Sequence, residues 1–542
     1  MMQKFSGNIV DVVSKEIFKG SIIIENGKIK EVKREEVDSD QYILPGLIDA
    51  HIHVESSMLT PVEFARLASP HGTVATVSDP HEIANVLGID GVNYMIENGK
   101  KTAFKFYFGA PSCVPATGFE SSGAQLSAKE TEELLKSDDI WYLAEMMNFP
   151  GVLFNDKEVH AKLDLAKKYN KPVDGHAPGV IGSDAEKYIN AGISTDHECF
   201  TMEEALEKIS YGMKVLIREG SAAKNYETLS DLLSTHPDDI MLCSDDKHPD
   251  DLMEGHINLV IKRSLAKGYD LMNTLRACTL NPVKHYKLDC GLLQNGDAAD
   301  FIIVDNLQEF NILSTYADGE LIAQNGKTRI ESIVEKAPNR FKASEITLED
   351  VFVKAESENI QVIEALEGEL ITQKLKSKAK VINGNVVSDV DNDVLKMLVL
   401  NRYEAGAKPS IGFIKGIGLK TGAMASTVAH DSHNIIAVGA NDEELIKAVN
   451  LVIKSKGGIS CCGNSKEKSL ALPVGGIMTN ANGIDAANAY EKLDKMVKEL
   501  GSPLKAPYMT LSFMALLVIP ELKLSDKGLF DGGKFEFTNL FV

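Results

Sequence analysis

A regular alternation of apolar, strand-like runs and amphipathic helical segments between residues 46 and 285 limits the folds open to this chain more than any other feature. Helical segments are predicted at Asp156 to Tyr169, Asp184 to Ala191 and Asp251 to Lys267. Eight β/α units in about 240 residues match a parallel (β/α)8 TIM-like barrel, and a doubly wound open sheet is the alternative. The eight candidate strands end near His53, Asp79, Pro111, Glu145, His176, His197, Ser221 and Asp245.

Short β-rich runs flank this region on both sides. Residues 1–45 contain a hairpin signal at Asn26-Gly27, and residues 286–340 repeat the pattern with Asn325-Gly326. Neither flank has enough strands to bury one face of a sheet by itself. We therefore predict that 1–45 and 286–340 pair into one composite β-sandwich domain, with the barrel at 46–285 between them.

The pattern changes again from residue 341 onwards. A charged run from Ile363 to Lys380 is predicted to be helical, and Asn383-Gly384 marks another hairpin. Long amphipathic helices are predicted at Asp442 to Lys456 and Asp485 to Leu500. Residues 341–542 are thus predicted to form a separate C-terminal α/β or α+β domain.

Charge and cysteine usage limit the partners of the chain. Its 57 basic and 78 acidic residues give a formal net charge of −21, which disfavours nucleic acid and anionic membrane surfaces as partners. The start of the chain lacks the apolar core of a signal peptide, and no stretch approaches the roughly 20 apolar residues of a membrane span. Seven cysteines without regular spacing favour reduced thiols and a cytoplasmic location.

Residues that can bind metal recur where the predicted barrel strands end. His51 and His53 are two positions apart on a strand, so they face the same side. In a parallel barrel the carboxyl ends of the strands converge on one mouth. Nitrogen and oxygen donors there could hold two divalent ions, and such a pair lowers the pKa of a shared water. The predicted ligands are His51, His53, Glu145, His176, His197 and Asp245.

The arrangement of these ligands resembles that of the amidohydrolase superfamily, whose ligands lie on barrel strands one, four, five, six and eight. Many binuclear members place a carboxylated lysine on strand four, but residues 140–152 contain no lysine, so Glu145 takes that position. This departure counts against the hydantoinase and dihydroorotase types. Longer motifs make the whole chain similar to the adenine deaminase family: PGLIDAHIHVESSM (45–58), SDPHEIANV (78–86), REGS (218–221), SDDK (244–247) and TVAHDSHN (427–434).

The resemblance implies hydrolysis of adenine to hypoxanthine and ammonia, with a hydroxide held between two metal ions attacking purine C6. It favours manganese or Fe(II), while the donor set also suits zinc. Asp245 resembles the residue that moves the proton of the attacking hydroxide to the departing amine. Glu82 is our candidate for proton delivery to N1, kept partly protonated by burial. We count His197, a predicted ligand, with these two as catalytic.

Several roles stay open at this point. His81, Asp79 and Arg218 are predicted to bind substrate, although Arg218 could instead stabilise neighbouring carboxylates. His430 and His433 could be surface or domain-contact residues, or they could close the barrel mouth. The resemblance also implies a homo-oligomer, dimeric or larger. Rival functions are cyclic amide hydrolysis on the same scaffold and a non-catalytic amidohydrolase-like scaffold protein.

Overall fold

The computed structural model describes residues 2–542, and within them eight parallel strands form the predicted barrel. The first five strands pair in order, as do the last three. The Ser194 amide donates to the Val173 carbonyl (2.9 Å) between strands five and six, and a bridge between Ile52 and Asp245 joins strand eight to strand one. The barrel prediction is confirmed. Its strands are Leu47–Ile52, Thr73–Ser78, Lys105–Ala110, Ile140–Met146, Val173–Gly175, Thr195–Asp196, Lys214–Arg218 and Ile240–Cys243.

Helices surround the barrel strands, because the strands are buried on both faces and need an outer apolar layer. No helix in residues 2–542 combines the length and apolar composition needed to cross a membrane. The α-helices of this region are Pro61–Ala68, His81–Leu87, Ile89–Gly99, Ala128–Leu135, Phe149–Leu153, Lys157–Lys168, Gly182–Asn190, Met202–Ser210, Tyr226–Leu229, Leu232–Thr235, Pro249–Glu254, Ile257–Ala266, Leu271–Ala277 and Leu280–Tyr286, with 3-10 turns at Val54–Ser57 and Ser69–His71.

The two β-rich flanks of the barrel pair into one eight-stranded sheet. The strand Tyr42–Pro45 joins the halves, because it pairs with Met2–Asp11 on one side and with Phe301–Val304 on the other. Asn26 and Gly27 have φ values of 52° and 75°, as a two-residue hairpin turn requires. The remaining strands are Glu16–Glu25, Lys28–Arg34, Ile312–Ala317, Glu320–Gln324 and Lys327–Thr328.

A second eight-stranded sheet forms the centre of the C-terminal domain. The helix Asp442–Ser455 packs its apolar side on this sheet, and Gly483–Glu499 and Pro507–Ser512 are the other α-helices. The strands, in their order across the sheet, are Thr372–Lys378, Asn359–Ala365, Ser410–Lys415, Leu395–Leu400, Ile435–Gly439, Ala423–Ser426, Gly458–Gly463 and Lys466–Ala471. Smaller elements are the strands Lys380–Ile382, Asn385–Val387, Leu522–Ser525, Gly528–Asp531 and Glu536–Phe537, with 3-10 turns at Val390–Asn392 and Phe513–Ala515.

Two helix predictions need correction. The run from Ile363 to Lys380 is not helical: it contains the end of one strand and the whole of its antiparallel neighbour. Gly368, with φ of 76°, lies in the connection between the two strands and breaks the run. The segment from Asp251 to Lys267 divides into two helices, which Gly255 and His256 separate.

The C-terminal domain lies on the mouth of the barrel. The Thr479 amide donates to the Met58 carbonyl (2.8 Å), and the Gly483 amide donates to Glu63 Oε2 (2.7 Å). Asn434 Nδ2 donates to the carbonyl oxygen of Ser121, in the loop after barrel strand three (2.8 Å). The C-terminal domain is thereby attached directly to the loops that carry the barrel's functional residues.

His71 gives the fold a predicted pH dependence. Burial, with a smaller effect from His256, lowers the pKa of His71 from 6.5 to about 4. Between those values the unfolded chain binds a proton that the folded chain does not, so stability falls as the pH falls. Between pH 7 and pH 4 the free energy of unfolding should therefore drop in the wild type. In His71→Gln we expect this drop to be smaller by about 1–3 kcal/mol. Thermal unfolding at both pH values measures the difference, and equal losses in the two proteins would refute it.

Candidate metal centre at the barrel mouth

The six predicted ligands come together at the carboxyl end of the barrel. His51 lies in strand one and Glu145 in strand four, while the others lie one or two positions after the ends of strands one, five, six and eight. None of the six side chains is more than 6% exposed. They are His51, His53, Glu145, His176, His197 and Asp245.

Glu145 lies at the centre of the cluster, and its two carboxylate oxygens face different imidazoles. Oε1 is 3.3 Å from His53 Nε2, whereas Oε2 is 3.0 Å from His176 Nδ1 and 3.3 Å from His197 Nε2. Burial acts to raise the pKa of Glu145, but the neighbouring His176, His197 and His53 hold it well below its usual range. An ionised carboxylate placed in this way could bridge two cations.

Asp245 completes the ring of donors where strand eight meets strand one. Its Oδ1 is 3.1 Å from His53 Nε2 and 3.5 Å from His51 Nε2. The Asp245 amide donates to the His51 carbonyl (2.9 Å), and the His53 amide donates to the Asp245 carbonyl (3.2 Å). Asp245 has φ of 57°, a left-handed conformation that aspartate tolerates better than most residues. The backbone that closes the barrel therefore also positions three of the predicted ligands.

The donor set fits a metal centre. Within residues 2–542, both ring nitrogens of His51, Nε2 of His176 and Oδ1 of Asp245 are buried without a hydrogen-bond partner. Unpaired buried polar atoms cost free energy, and a cation would satisfy them. Two compatible donor groups, each with atoms within 4.8 Å of one another, are His51, His53, Asp245 and His176, His197, Glu198. Nitrogen and oxygen donors suit divalent transition metals.

Two histidines of the C-terminal domain cover Glu82. His430 Nδ1 contacts Glu82 Oε1, and His433 Nε2 contacts Glu82 Oε2. Burial acts to raise the pKa of Glu82, but His430, His433 and His81 hold it well below its usual range. Burial acts to lower the pKa of His430, yet Glu82 and Asp246 raise it to about 9. These directions run against the expectation that burial keeps Glu82 partly protonated, and they favour the proton on His430.

The cavity between the barrel mouth and the C-terminal domain is small. Its free volume is about 20 Å³, room for roughly one water molecule. On the barrel side the cavity is lined by the carboxylates of Glu82 and Glu145 and by the imidazoles of His81 and His197. Leu370, Phe513 and Leu516 of the C-terminal domain cover it from above, and we call these three residues the roof. A purine can enter only if the roof moves.

Comparison with known proteins supports the same assignment for both halves of the chain. Residues 42–322 match the amidohydrolase family, and residues 369–536 match the adenine deaminase C-terminal domain. The adenine deaminase of Methanosarcina mazei is 54% identical, with 100% of both chains covered. Those of Sulfurovum sp. and Borreliella burgdorferi are 53% and 49% identical, with 99% of both chains covered in each case. The chain belongs to the adenine deaminase family of amidohydrolases.

Arg218 does not face the cavity of this adenine deaminase family member. Its Nη1 contacts Glu198 Oε1 and Asp245 Oδ2, and its Nη2 donates to Glu198 Oε2 (3.1 Å). Its Nε donates to the Ala223 carbonyl (2.6 Å). Because the guanidinium is bound to these groups, the geometry favours the stabilisation of carboxylates over the predicted contact with substrate. Arg218 holds Asp245 and Glu198 in place.

Asp79 and His81 divide the role that we predicted for them. His81 lines the cavity, with Nδ1 3.4 Å from Glu145 Oε1 and Nε2 3.4 Å from Glu82 Oε1. Asp79 Oδ1 accepts the His81 amide (3.0 Å), and Asp79 Oδ2 is 3.1 Å from His81 Nδ1. Asp79 thus orients His81 without lining the cavity itself. Of these two residues, only His81 can contact a purine ring bound in the cavity.

Sequence reasoning missed four carboxylates of the site. Glu198 lies 3.5 Å from His197 Nε2 and 3.7 Å from His176 Nδ1, and Asp174 lies 3.9 Å from His51 Nδ1. Asp246 and Asp431 line the cavity. All four are within two positions of a predicted ligand or of His430, so adjacency was the available signal. Three of them directly follow a candidate residue, and one precedes His176 by two positions.

Proposed function

We propose that this protein hydrolyses adenine to hypoxanthine and ammonia at a binuclear metal centre. The observation that carries the proposal is the 54% identity to an adenine deaminase over 100% of both chains, including the C-terminal domain that covers the site. Cyclic amide hydrolysis is not favoured, because the matched relatives are adenine deaminases. A non-catalytic scaffold is disfavoured as well, because every predicted ligand position holds a residue able to bind metal.

The proposed cofactor is a pair of divalent ions, manganese or Fe(II) in preference to zinc. His51, His53 and Asp245 would hold one ion, His176 and His197 the other, and Glu145 would bridge them. Bound there, such ions lower the pKa of water so that a nucleophile exists at neutral pH. The negative charge of Glu145 and Asp245 offsets the charge of the cations in a site from which bulk water is excluded.

Side chains of the protein transfer the protons that the reaction requires. Overall, a C6–O bond forms and the C6–N6 bond breaks. Water supplies the oxygen of hypoxanthine, the proton on its N1 and the third proton of ammonia, whose other two are already on N6. Asp245 accepts the proton of the attacking hydroxide and passes it to the departing amino group. The Glu82–His430 pair holds a proton at neutral pH and delivers it to N1, which prevents negative charge from building on the ring.

We further propose that the protein works in the cytoplasm as a homo-oligomer. All seven cysteines are buried and free of disulfides, as a reducing compartment favours. Phe154, Ile181 and Phe200 are exposed at the ends of neighbouring barrel helices, where a second copy could cover them. Sedimentation equilibrium measures the state, and a monomer at micromolar concentration would refute the oligomer.

The direct test of the function is ammonia release from adenine by purified protein, combined with metal analysis. We expect two equivalents of divalent metal per chain, hypoxanthine as the purine product, and loss of turnover after chelation that manganese restores. Hydantoin and dihydroorotate serve as control substrates, and neither should be opened. Carboxylate formation from these cyclic amides without ammonia release from adenine would refute the assignment.

A further inference from the structure

Lys523, in the strand Leu522–Ser525, is a fully buried lysine that contacts the roof. Its Nζ donates to the Leu370 carbonyl (2.7 Å) and to the Phe513 carbonyl (3.0 Å). Burial lowers its pKa to about 7, and no carboxylate in the described residues 2–542 offsets that effect. A buried amine without an anionic partner is costly to maintain, so its two contacts call for an explanation.

Both partners of Lys523 belong to the roof. Leu370 lies in the connection between the strands Asn359–Ala365 and Thr372–Lys378. Phe513 begins the 3-10 turn Phe513–Ala515, and Leu516 follows that turn. These two segments are far apart in the sequence, and Lys523 Nζ donates a hydrogen bond to a backbone carbonyl of each of them.

Each roof segment also contacts a different part of the site. The Phe513 ring stacks on the His430 imidazole, with ring centroids 4.6 Å apart and planes inclined by 13°. In the other segment, the Gly368 carbonyl accepts the Ala223 amide (3.0 Å), and the Ala223 carbonyl accepts Arg218 Nε (2.6 Å). The relative position of the two segments therefore sets the shape of the roof over the cavity.

We propose that Lys523 is a positioning residue that holds the Leu370 and Phe513 segments together as one roof, which packs on the face of the bound adenine ring. This rests on the proposed function. Because the cavity has room for only about one water, the roof must move to admit a purine and then return to cover it. Two segments joined through one amine move as a unit, so the apolar side chains return to the ring in the same relative positions.

Lys396 provides a matched control for a purely structural role. It is also fully buried in the C-terminal domain, and its Nζ donates to the Val351 carbonyl (2.9 Å) and to Asp442 Oδ2 (2.9 Å). It does not line the cavity within the described part of the chain. Replacement of Lys396 should therefore cost stability without changing the roof.

The experiment compares Lys523→Met with Lys396→Met in metal-loaded enzyme. For Lys523→Met we expect KM for adenine to rise by about tenfold or more, with kcat changed by less than about threefold. Metal content should equal that of the wild type. For Lys396→Met we expect a lower thermal unfolding midpoint and a KM within about twofold of the wild type. If Lys523 contributed to stability alone, Lys523→Met would resemble Lys396→Met and would leave KM unchanged.

Three outcomes would overturn the proposal. The first is a folded Lys523→Met enzyme with unchanged KM, and the second is an equal rise of KM in both variants. If Lys523→Met does not fold, Leu370→Ala and Phe513→Leu take its place, and unchanged KM in both of these is the third. Wild-type turnover is measured in parallel: if the wild type releases no ammonia from adenine, the proposed function fails, whereas an active wild type with these outcomes refutes the role of Lys523 alone.

Discussion

Glu145→Gln is expected to leave fewer than two metal ions per chain and to lower kcat for adenine by about a thousandfold. The amide has nearly the shape of the carboxylate but carries no charge, so it cannot bridge two cations. The buried imidazoles of His53, His176 and His197, which now face Glu145 oxygens at 3.0–3.3 Å, would lose that anionic partner. Metal analysis together with ammonia release measures both effects.

Glu63→Gln is the matched control for this experiment. Glu63 is buried in the helix Pro61–Ala68, where it accepts the Gly483 amide at 2.7 Å and lies outside the metal cluster. Its variant should keep two ions and most of the turnover, even if the C-terminal domain is held less firmly. Two ions and full turnover in Glu145→Gln would show that the bridge has been assigned to the wrong residue.

Glu82→Gln is expected to retain both metal ions and to lose about a hundredfold or more in kcat. Glu82 contacts both His430 and His433, and it is the main reason that the pKa of His430 rises to about 9 against the effect of burial. Without the carboxylate, the pKa of His430 falls and Glu82 no longer shares a proton with it for delivery to N1. Turnover and metal content, measured on the same preparation, separate this effect from that of Glu145→Gln.

Glu55→Gln is the control here, because Glu55 is a buried carboxylate close to Glu82. Its Oε1 accepts the Ile83 amide (3.2 Å), and burial raises its pKa to about 7, so its carboxyl group is already partly neutral. This variant should keep turnover within about threefold of the wild type. If Glu82→Gln turns over adenine as fast as the wild type does, another group delivers the proton.

The barrel and the approximate positions of its strand ends could be predicted from sequence because strand and helix periods alternate clearly between residues 46 and 285. Glu145 could be chosen because its strand offers no lysine. For Glu82, in contrast, the sequence predicts the position after strand two, where the structure has it, but not the protonation state. That state depends on His430 and His433, which lie more than 300 residues away in the sequence, and no local pattern reports such a contact.

Arg218 and the segment from Ile363 to Lys380 show two further limits. The sequence allows Arg218 to face either substrate or carboxylates, and only the three-dimensional arrangement of Glu198 and Asp245 decides between them. The frequent lysines of the segment from Ile363 to Lys380 predict a helix. In the structure, however, Thr372–Lys378 is a strand with partly alternating exposure that pairs with Asn359–Ala365. Tertiary pairing here outweighs local propensity.

His430 and His433, which contact Glu82, are translated after the whole barrel, and this order has a consequence for when activity can begin. The barrel emerges from the ribosome with its predicted cation ligands, but the imidazoles that set the charge of Glu82 are translated later. A nascent chain that ends before residue 430 would thus lack both imidazoles and the charged pair that we propose for proton delivery to N1. Only the folding of the last domain would start catalysis, so the cell would not encounter a half-finished chain that consumes adenine.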